Sequence, residues 1–333
     1  MTTEKQKYDK ALFSLEELRE TAAYLRDFVP PTPQFDWPLL AERTGCDVWV
    51  KHENHTPIGA FKARSVFGYL HSLVESGIKV AGTISATRGN HGQSVALAST
   101  LAGLPSVVVV PEGNSVDKNA AMQAFGGELI IAGRDFDDAR VHAAQIAEER
   151  GLHFIPSFHP DIVRSVATYA LEFLEAVSDL HTIYVPIGLG SGICGLITTR
   201  DLLGLTTKIV GVVAEGADAM ALSLEAGHVV STENATTFAD GMACREPSQE
   251  AFEIIRDGAA RVIRVSEDEI AEAMRAYFTD THNIAEGAGA APLAALMKER
   301  DTMAGRKVGL ILTGSNVDMP IYAKVLAGET PAA

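Results

Sequence analysis

Short runs rich in β-branched residues, separated by longer stretches of helical periodicity, recur along the chain and restrict it to one fold class. The strand candidates are "CDVWVKH", "VAGTISA", "PSVVVVP", "GELIIAG", "LHFIPS", "TIYVPIG", "KIVGVVA", "ARVIRVS" and "KVGLILTG". Between them lie "NAAMQAF", "FDDARVHAAQIAEERG", "RSVATYALEFLEAV", "SEDEIAEAMRAYFTD" and "AGAAPLAALMKER", which read as helices. The strand runs are apolar at successive rather than alternate positions, so both faces must be covered, as in parallel sheets flanked by helices. The fold class is therefore α/β. So many units in 333 residues predict two mostly parallel sheets, and no Pro/Gly/Ser-rich linker or repeat separates them. Short direct crossings between two lobes are expected. Ser266 opens an acidic first turn and reads as an N-cap on a solvated helix.

Charge and cysteine usage narrow the partners. The chain carries 28 Lys and Arg against 43 Asp and Glu, a formal charge of −15, which argues against nucleic acid or an anionic membrane as the main partner. A local pocket can still be positive and take a small anion. Cys46, Cys194 and Cys244 are sparse, odd in number and lack a CxxC spacing, which points to a reducing, cytoplasmic compartment. The start, "MTTEKQKYDK", is charged, and no apolar run reaches membrane-spanning length.

In open α/β sheets ligands bind beyond the carboxyl ends of strands, and three loops stand there. "VPIGLGSGICG" places Gly188, Leu189, Gly190, Ser191 and Gly192 before a helix, a natural cradle for a phosphate. Gly190, Gly192 and Gly195 also fit GxGxxG, with Glu215 about 20 residues on, so this loop alone equally supports a nicotinamide-dependent dehydrogenase. "SATRGNHGQS" brings Thr87, Arg88, Gly89, Asn90 and His91 to the start of another helix, a set suited to a carboxylate or a ring hydroxyl. The alternative is an Asn cap with incidental polar neighbours. "LILTGSNVDMP" presents Thr313, Ser315, Asn316 and Asp318 at the end of the last strand, either toward a cleft or as a capped turn. His52 and His55 have metal-ligand spacing, but nothing near them completes a site and no metal is expected. No Gly-x-Ser-x-Gly elbow supports a serine hydrolase.

One lysine is out of the ordinary. In "HTPIGAFKARS", Lys62 follows Pro57, Gly59, Ala60 and Phe61, a turn leading into an apolar pair. If buried, its amine would lose part of its proton affinity and become a nucleophile; otherwise it is a first-turn surface lysine.

Taken in order, the early lysine, the Asn loop, the glycine cradle and the terminal hydroxyl resemble the pyridoxal-phosphate enzymes of fold type II, specifically the serine/threonine dehydratase group. The resemblance runs over residues of about 35 to 320. It implies the two-lobed, tryptophan synthase β-like architecture. A large cofactor-binding unit would comprise 1–77 and 160–333, and a small mobile unit 78–159. It implies pyridoxal 5'-phosphate as cofactor, a small amino-acid substrate and a homodimer. Residue by residue, Lys62 matches the Schiff-base lysine and Phe61 the residue packed on the pyridine ring. Asn90 matches the partner of the ring 3-hydroxyl, and Gly188 to Gly192 the phosphate cradle. Thr313 takes the place beside the pyridine nitrogen, Gly241 borders ring and substrate, and Glu286 corresponds to a pocket-lining acid. The implied reaction is α,β-elimination from a 3-hydroxy amino acid, giving a 2-oxo acid and ammonia. A β-replacement synthase and a ligand-binding relative without turnover are the other readings.

Departures from the group bear on substrate. Arg88 stands where the group has Ser, which argues against racemase chemistry and offers a clamp for the α-carboxylate or for a second carboxylate. Ala60 replaces another Ser, "RSVAT" lacks the usual Gly-Gln-Gly, and "SFHPD" would put His159 near the substrate's β-substituent. Glu215 only partly matches the cation site of some relatives. The chain after residue 320 leaves no room for the regulatory domain of biosynthetic threonine dehydratases, so feedback through such a domain is not expected. Threonine and serine are the default substrates, with 3-phenylserine and 3-hydroxyaspartate as the alternatives that these departures raise.

Overall fold

The computed structural model describes residues 12–332; the charged start of the chain lies outside them. Its strands form two sheets, one of six strands and one of four. The six-stranded sheet has the order β1 (Gln34–Asp36), β2 (Asp47–His52), β10 (Lys307–Leu312), β7 (Thr182–Pro186), β8 (Lys208–Ala214), β9 (Arg261–Val265). Only β1 runs antiparallel to its neighbour. The four-stranded sheet is wholly parallel, in the order β5 (Glu128–Ile131), β4 (Ser106–Val110), β3 (Thr83–Ala86), β6 (His153–Phe154). Every strand read in the sequence is present. The one not read, β1, has three residues, two of them exposed, and so carries no apolar run.

Burial follows the sheet order. The central strands β3, β4 and β10 are buried at almost every position, whereas the edges β5 and β9 are only partly covered. This is the consequence of helices on both faces of a parallel sheet. The helix Pro160–Ala176 is the keystone of the larger core, packed against Ala63–Glu75, Ser191–Leu202 and Leu15–Leu25. Glu267–Thr281 and Gly287–Lys298 cover the opposite face of the large sheet. Ser266 caps the first of these with a reciprocal capping box, as the sequence predicts.

Between these helices lies a buried group of charges. Arg64 is 1% exposed and Glu53 fully buried; they pair through Nε–Oε2 at 2.8 Å and Nη2–Oε1 at 3.0 Å. Glu172 Oε1 receives Arg64 Nη1 at 2.7 Å, and Glu172 Oε2 receives Lys51 Nζ at 2.6 Å. Thr32 and Thr168 complete the network. Two cations thus face two carboxylates with no charge left over, which offsets their desolvation. Glu53→Ala should leave Arg64 half-paired in the core and destabilise the protein by about 3–5 kcal/mol. Urea unfolding of the variant checks this.

Candidate active site

The parallel strands point their carboxyl ends into a cavity of about 600 Å³ between the sheets. Three crossings begin there. β3 ends at Ala86, and Thr87, Arg88 and Gly89 lead into the helix Asn90–Leu101. β7 ends at Pro186, and 187–190 lead into Ser191–Leu202. β10 ends at Leu312, followed by Thr313 and Gly314. All of these loops contribute to the cavity wall, together with Phe61, Lys62, Gly241 and Glu286.

Lys62 sits at the N-cap of Ala63–Glu75, in a segment stitched to the end of β10. Phe61 N–H donates to Thr313 O at 2.8 Å, Ser315 N–H to Gly59 O at 2.9 Å, and Asn316 Nδ2 to Ile58 O at 2.7 Å. The Lys62 amine reaches across the cavity to Ser191 Oγ at 3.0 Å and lies 5.0 Å from the centre of the Phe61 ring. Among the described residues no carboxylate pairs with it, and loss of water lowers its pKa from the usual 10.5 to about 8. Lys62 is the pocket lysine, not the surface one.

Around Ser191 the glycines hold the backbone close. Gly190 has φ +101°, and a Cβ there would lie 2.9 Å from Ala251 Cβ; one on Gly188 would lie 2.4 Å from Gly241 O. The cavity therefore meets bare backbone and the open N–H groups of a helix end, the arrangement that takes an anion. Gly195 belongs elsewhere: it allows close approach to Ala167, 3.1 Å from where a Cβ would be. Glu215 is absent from the cavity wall and lies 3.9 Å from Lys298. The dinucleotide pattern is thus split between a cradle and a helix contact.

Asn90 Nδ2 donates to Glu286 Oε1 at 2.8 Å and Asn90 Oδ1 accepts from Asn316 at 2.8 Å. Glu286 is buried, which pushes its carboxyl up to about 7 against the pull of Lys118. Lys118 Nζ lies 2.5 Å from Asp240 and 3.5 Å from Glu286 Oε2. Lys118 and Asp240 escaped the sequence reading, because "NSVDKNAA" looks like an ordinary helix start and only the fold brings residue 118 to 240 and 286. His91 is buried; burial first, and Lys62 second, hold its pKa down at about 3 against the pull of the Ile155 backbone, so the ring is neutral. Thr87 Oγ1 accepts the Gly89 N–H at 3.0 Å.

His159 needs correction. Its Nδ1 accepts the Asp161 N–H at 3.2 Å as a helix cap, and its ring stands edge-on to Tyr69, outside the cavity wall. Phe158 is the residue of that segment that lines the cavity. His52 and His55 are likewise occupied, by Trp37 and Asn54 and by Asn283.

The Pyridoxal-phosphate dependent enzyme family model matches residues 25–314. The chain belongs to this family. It is 37% identical to an L-threonine ammonia-lyase of Geobacter sulfurreducens over 86% of this chain and 71% of that one. An L-threo-3-hydroxyaspartate ammonia-lyase of a Pseudomonas species is 32% identical over 95% of this chain and 99% of its own. The processed form of threonine deaminase isoform 2 from Solanum lycopersicum superposes with a TM-score of 0.86 at 30% identity, covering 95% of this chain and 90% of that one. The cofactor is pyridoxal phosphate and the chemistry that of a dehydratase-type ammonia-lyase.

The cavity fits that cofactor. A poorly solvated amine for an aldehyde, a bare-backbone cradle for a phosphate, and an aromatic face at Phe61 occur in one space. Because only the free amine attacks an aldehyde, the rate at which apoenzyme takes up pyridoxal phosphate should rise with pH through a midpoint near 8, not 10.5. Stopped-flow absorbance at a series of pH values measures it. Gly188→Ala should weaken uptake by pushing the cradle off Gly241, with the far-UV spectrum unchanged.

Proposed function

We propose that this pyridoxal-phosphate dependent lyase converts a 3-hydroxy amino acid to a 2-oxo acid and ammonia, with Lys62 as the group that holds the cofactor and then moves the substrate's α-proton. The reading rests above all on the Lys62 amine, desolvated, unpaired with any carboxylate and directed at the Ser191 hydroxyl inside a glycine cradle. Kinship with ammonia-lyases that act on threonine and on threo-3-hydroxyaspartate supports the substrate class.

Pyridoxal phosphate, when bound, supplies the electron sink that makes a Cα–H bond acidic. The residues do the rest. Phe61 would offer an aromatic face to the cofactor, and Gly188, Leu189, Gly190, Ser191 and Gly192 would hold its phosphate. Asn90, fixed between Glu286 and Asn316, would turn its amide toward the cofactor, and Thr313 would offer it a neutral hydroxyl. Gly241 lets substrate lie close to backbone. Thr87 and the first-turn N–H groups of Asn90 and His91 receive the α-carboxylate. Lys62 Nζ would take the Cα proton as general base, and the same proton, passed on to the departing Cβ oxygen as the Cβ–O bond breaks, would leave with it as water. The released enamine tautomerises and hydrolyses to 2-oxo acid and ammonia.

Movement of the small unit, 78–159, against 1–77 and 160–333 would admit substrate and then exclude water. Such opening would break side-chain contacts that include Lys118 with Asp240 and Glu286, Asn90 with Glu286 and Asn316, Ser115 with Asp318, and Asp135 with Arg245 at 3.8 Å. A homodimer is part of the same proposal, and light scattering tests it.

The test is an absorbance spectrum of purified protein followed by addition of threonine, serine, 3-phenylserine and both 3-hydroxyaspartate diastereomers. A visible band that shifts with one of them, with 2-oxo acid and ammonia formed, is expected. Lys62→Ala should lose the Schiff-base band and at least roughly a thousandfold in turnover. A colourless protein that binds nicotinamide dinucleotide would overturn the reading.

A further inference from the structure

Arg88 is an arginine without a partner in a cavity that already meets its other electrostatic needs. Its Nε is buried and unbonded, its side chain forms part of the cavity wall, and it makes no ion pair among the described residues. The acids around it are committed. Asp240 and Glu286 are engaged by Lys118, Glu286 also by Asn90, and Asp135 faces Arg245 at 3.8 Å. Glu233 and Glu246 stand exposed on the rim. A guanidinium is always charged, and leaving part of its donor fork buried and unbonded is costly unless a ligand satisfies it.

Two anionic groups of the bound reactants have receivers that do not need Arg88. The cofactor phosphate has the cradle at 188–192. The α-carboxylate has the open end of the helix Asn90–Leu101 beside the Thr87 hydroxyl, where Gly89 keeps the backbone free of a side chain. Arg88, adjacent in the same loop, is surplus to both. Its planar fork matches a second carboxylate bidentately.

We infer that Arg88 is a specificity-determining residue that binds a carboxylate on the substrate's side chain, so that the enzyme prefers a 3-hydroxy amino acid with two carboxylates, the 3-hydroxyaspartate class, over threonine or serine. This rests on the lyase reading above and names its substrate. A methyl or hydrogen in place of the carboxylate leaves the guanidinium unsatisfied, and a phenyl group brings no counter-charge.

The test has two arms. In the first, kcat/KM is measured on holoenzyme for each 3-hydroxyaspartate diastereomer and for L-threonine, in wild type, Arg88→Gln and Arg88→Lys. Wild type should favour one diastereomer over threonine, and Arg88→Gln should collapse that preference by about 100-fold. Arg88→Lys, which keeps the charge but loses the fork, should fall between them. A wild-type preference for threonine overturns the inference. So does an equal loss for both substrates in Arg88→Gln, which would assign Arg88 to the shared α-carboxylate.

The second arm needs no turnover. L-Malate and 3-hydroxybutyrate are the deaminated counterparts of 3-hydroxyaspartate and threonine, and titration calorimetry reads their binding to holoenzyme. Wild type should bind malate at least about tenfold more tightly, a difference that Arg88→Gln abolishes. Equal binding by wild type overturns the inference. If no amino acid is turned over yet malate is preferred through Arg88, the lyase reading fails and the carboxylate site stands.

Discussion

The charge-balanced cluster of Arg64, Glu53, Glu172 and Lys51 fixes the geometry on which the pocket lysine, Lys62, depends. Arg64 lies two residues beyond Lys62, on the first turn of Ala63–Glu75, and its guanidinium is gripped by carboxylates from the loop after β2 and from Pro160–Ala176. The first turn therefore cannot rotate without separating buried charges, which costs several kcal/mol. Gly68 tightens the same contact, since a Cβ there would fall 1.9 Å from Ser165 Oγ. The backbone of Lys62 is anchored by this cluster on one side and by the hydrogen bonds to Thr313 and Ser315 on the other, and its amine reaches Ser191 Oγ across the cavity. Its lowered proton affinity arises from burial away from water, and its position owes much to the acids behind it.

A second constraint is that the strands flanking the site end at the same space. Parallel β7 and β10 align their carboxyl ends within the six-stranded sheet, and β3 of the four-stranded sheet ends at the same cavity, so the three loops converge although they are far apart in sequence. Each loop then opens or adjoins a helix whose free N–H groups favour anions. A substrate and cofactor that together carry phosphate and carboxylates match that electrostatic bias, and it operates in a chain whose net charge is −15. Local geometry outweighs global charge here because the groups concerned line the cavity and are poorly solvated.

Much of this was legible in the sequence for particular reasons. β-branched runs such as "SVVVV" and "KIVGVVA" announce buried parallel strands, because nothing polar interrupts them. The glycines at 188, 190 and 192 and the Asn-Gly loop mark close backbone approach. β1 was invisible because a three-residue edge strand needs no apolar pattern. His159 misled because a cap and a ligand draw on the same residue types near a Pro-led helix start. Gly195 misled because the spacing of a phosphate loop and that of a tight helix contact coincide.

The sequence by itself determined the layers, the order of the motifs and the chemistry each could bring, since these follow from local periodicity and residue type. Only the tertiary structure decided which charges meet. Lys118 joins Asp240 and Glu286 across more than a hundred residues, while among the described residues Lys62 is left without an acid and Arg88 without a partner. Pairing depends on through-space distance and on the removal of water, and neither is written in the spacing of residues along a chain.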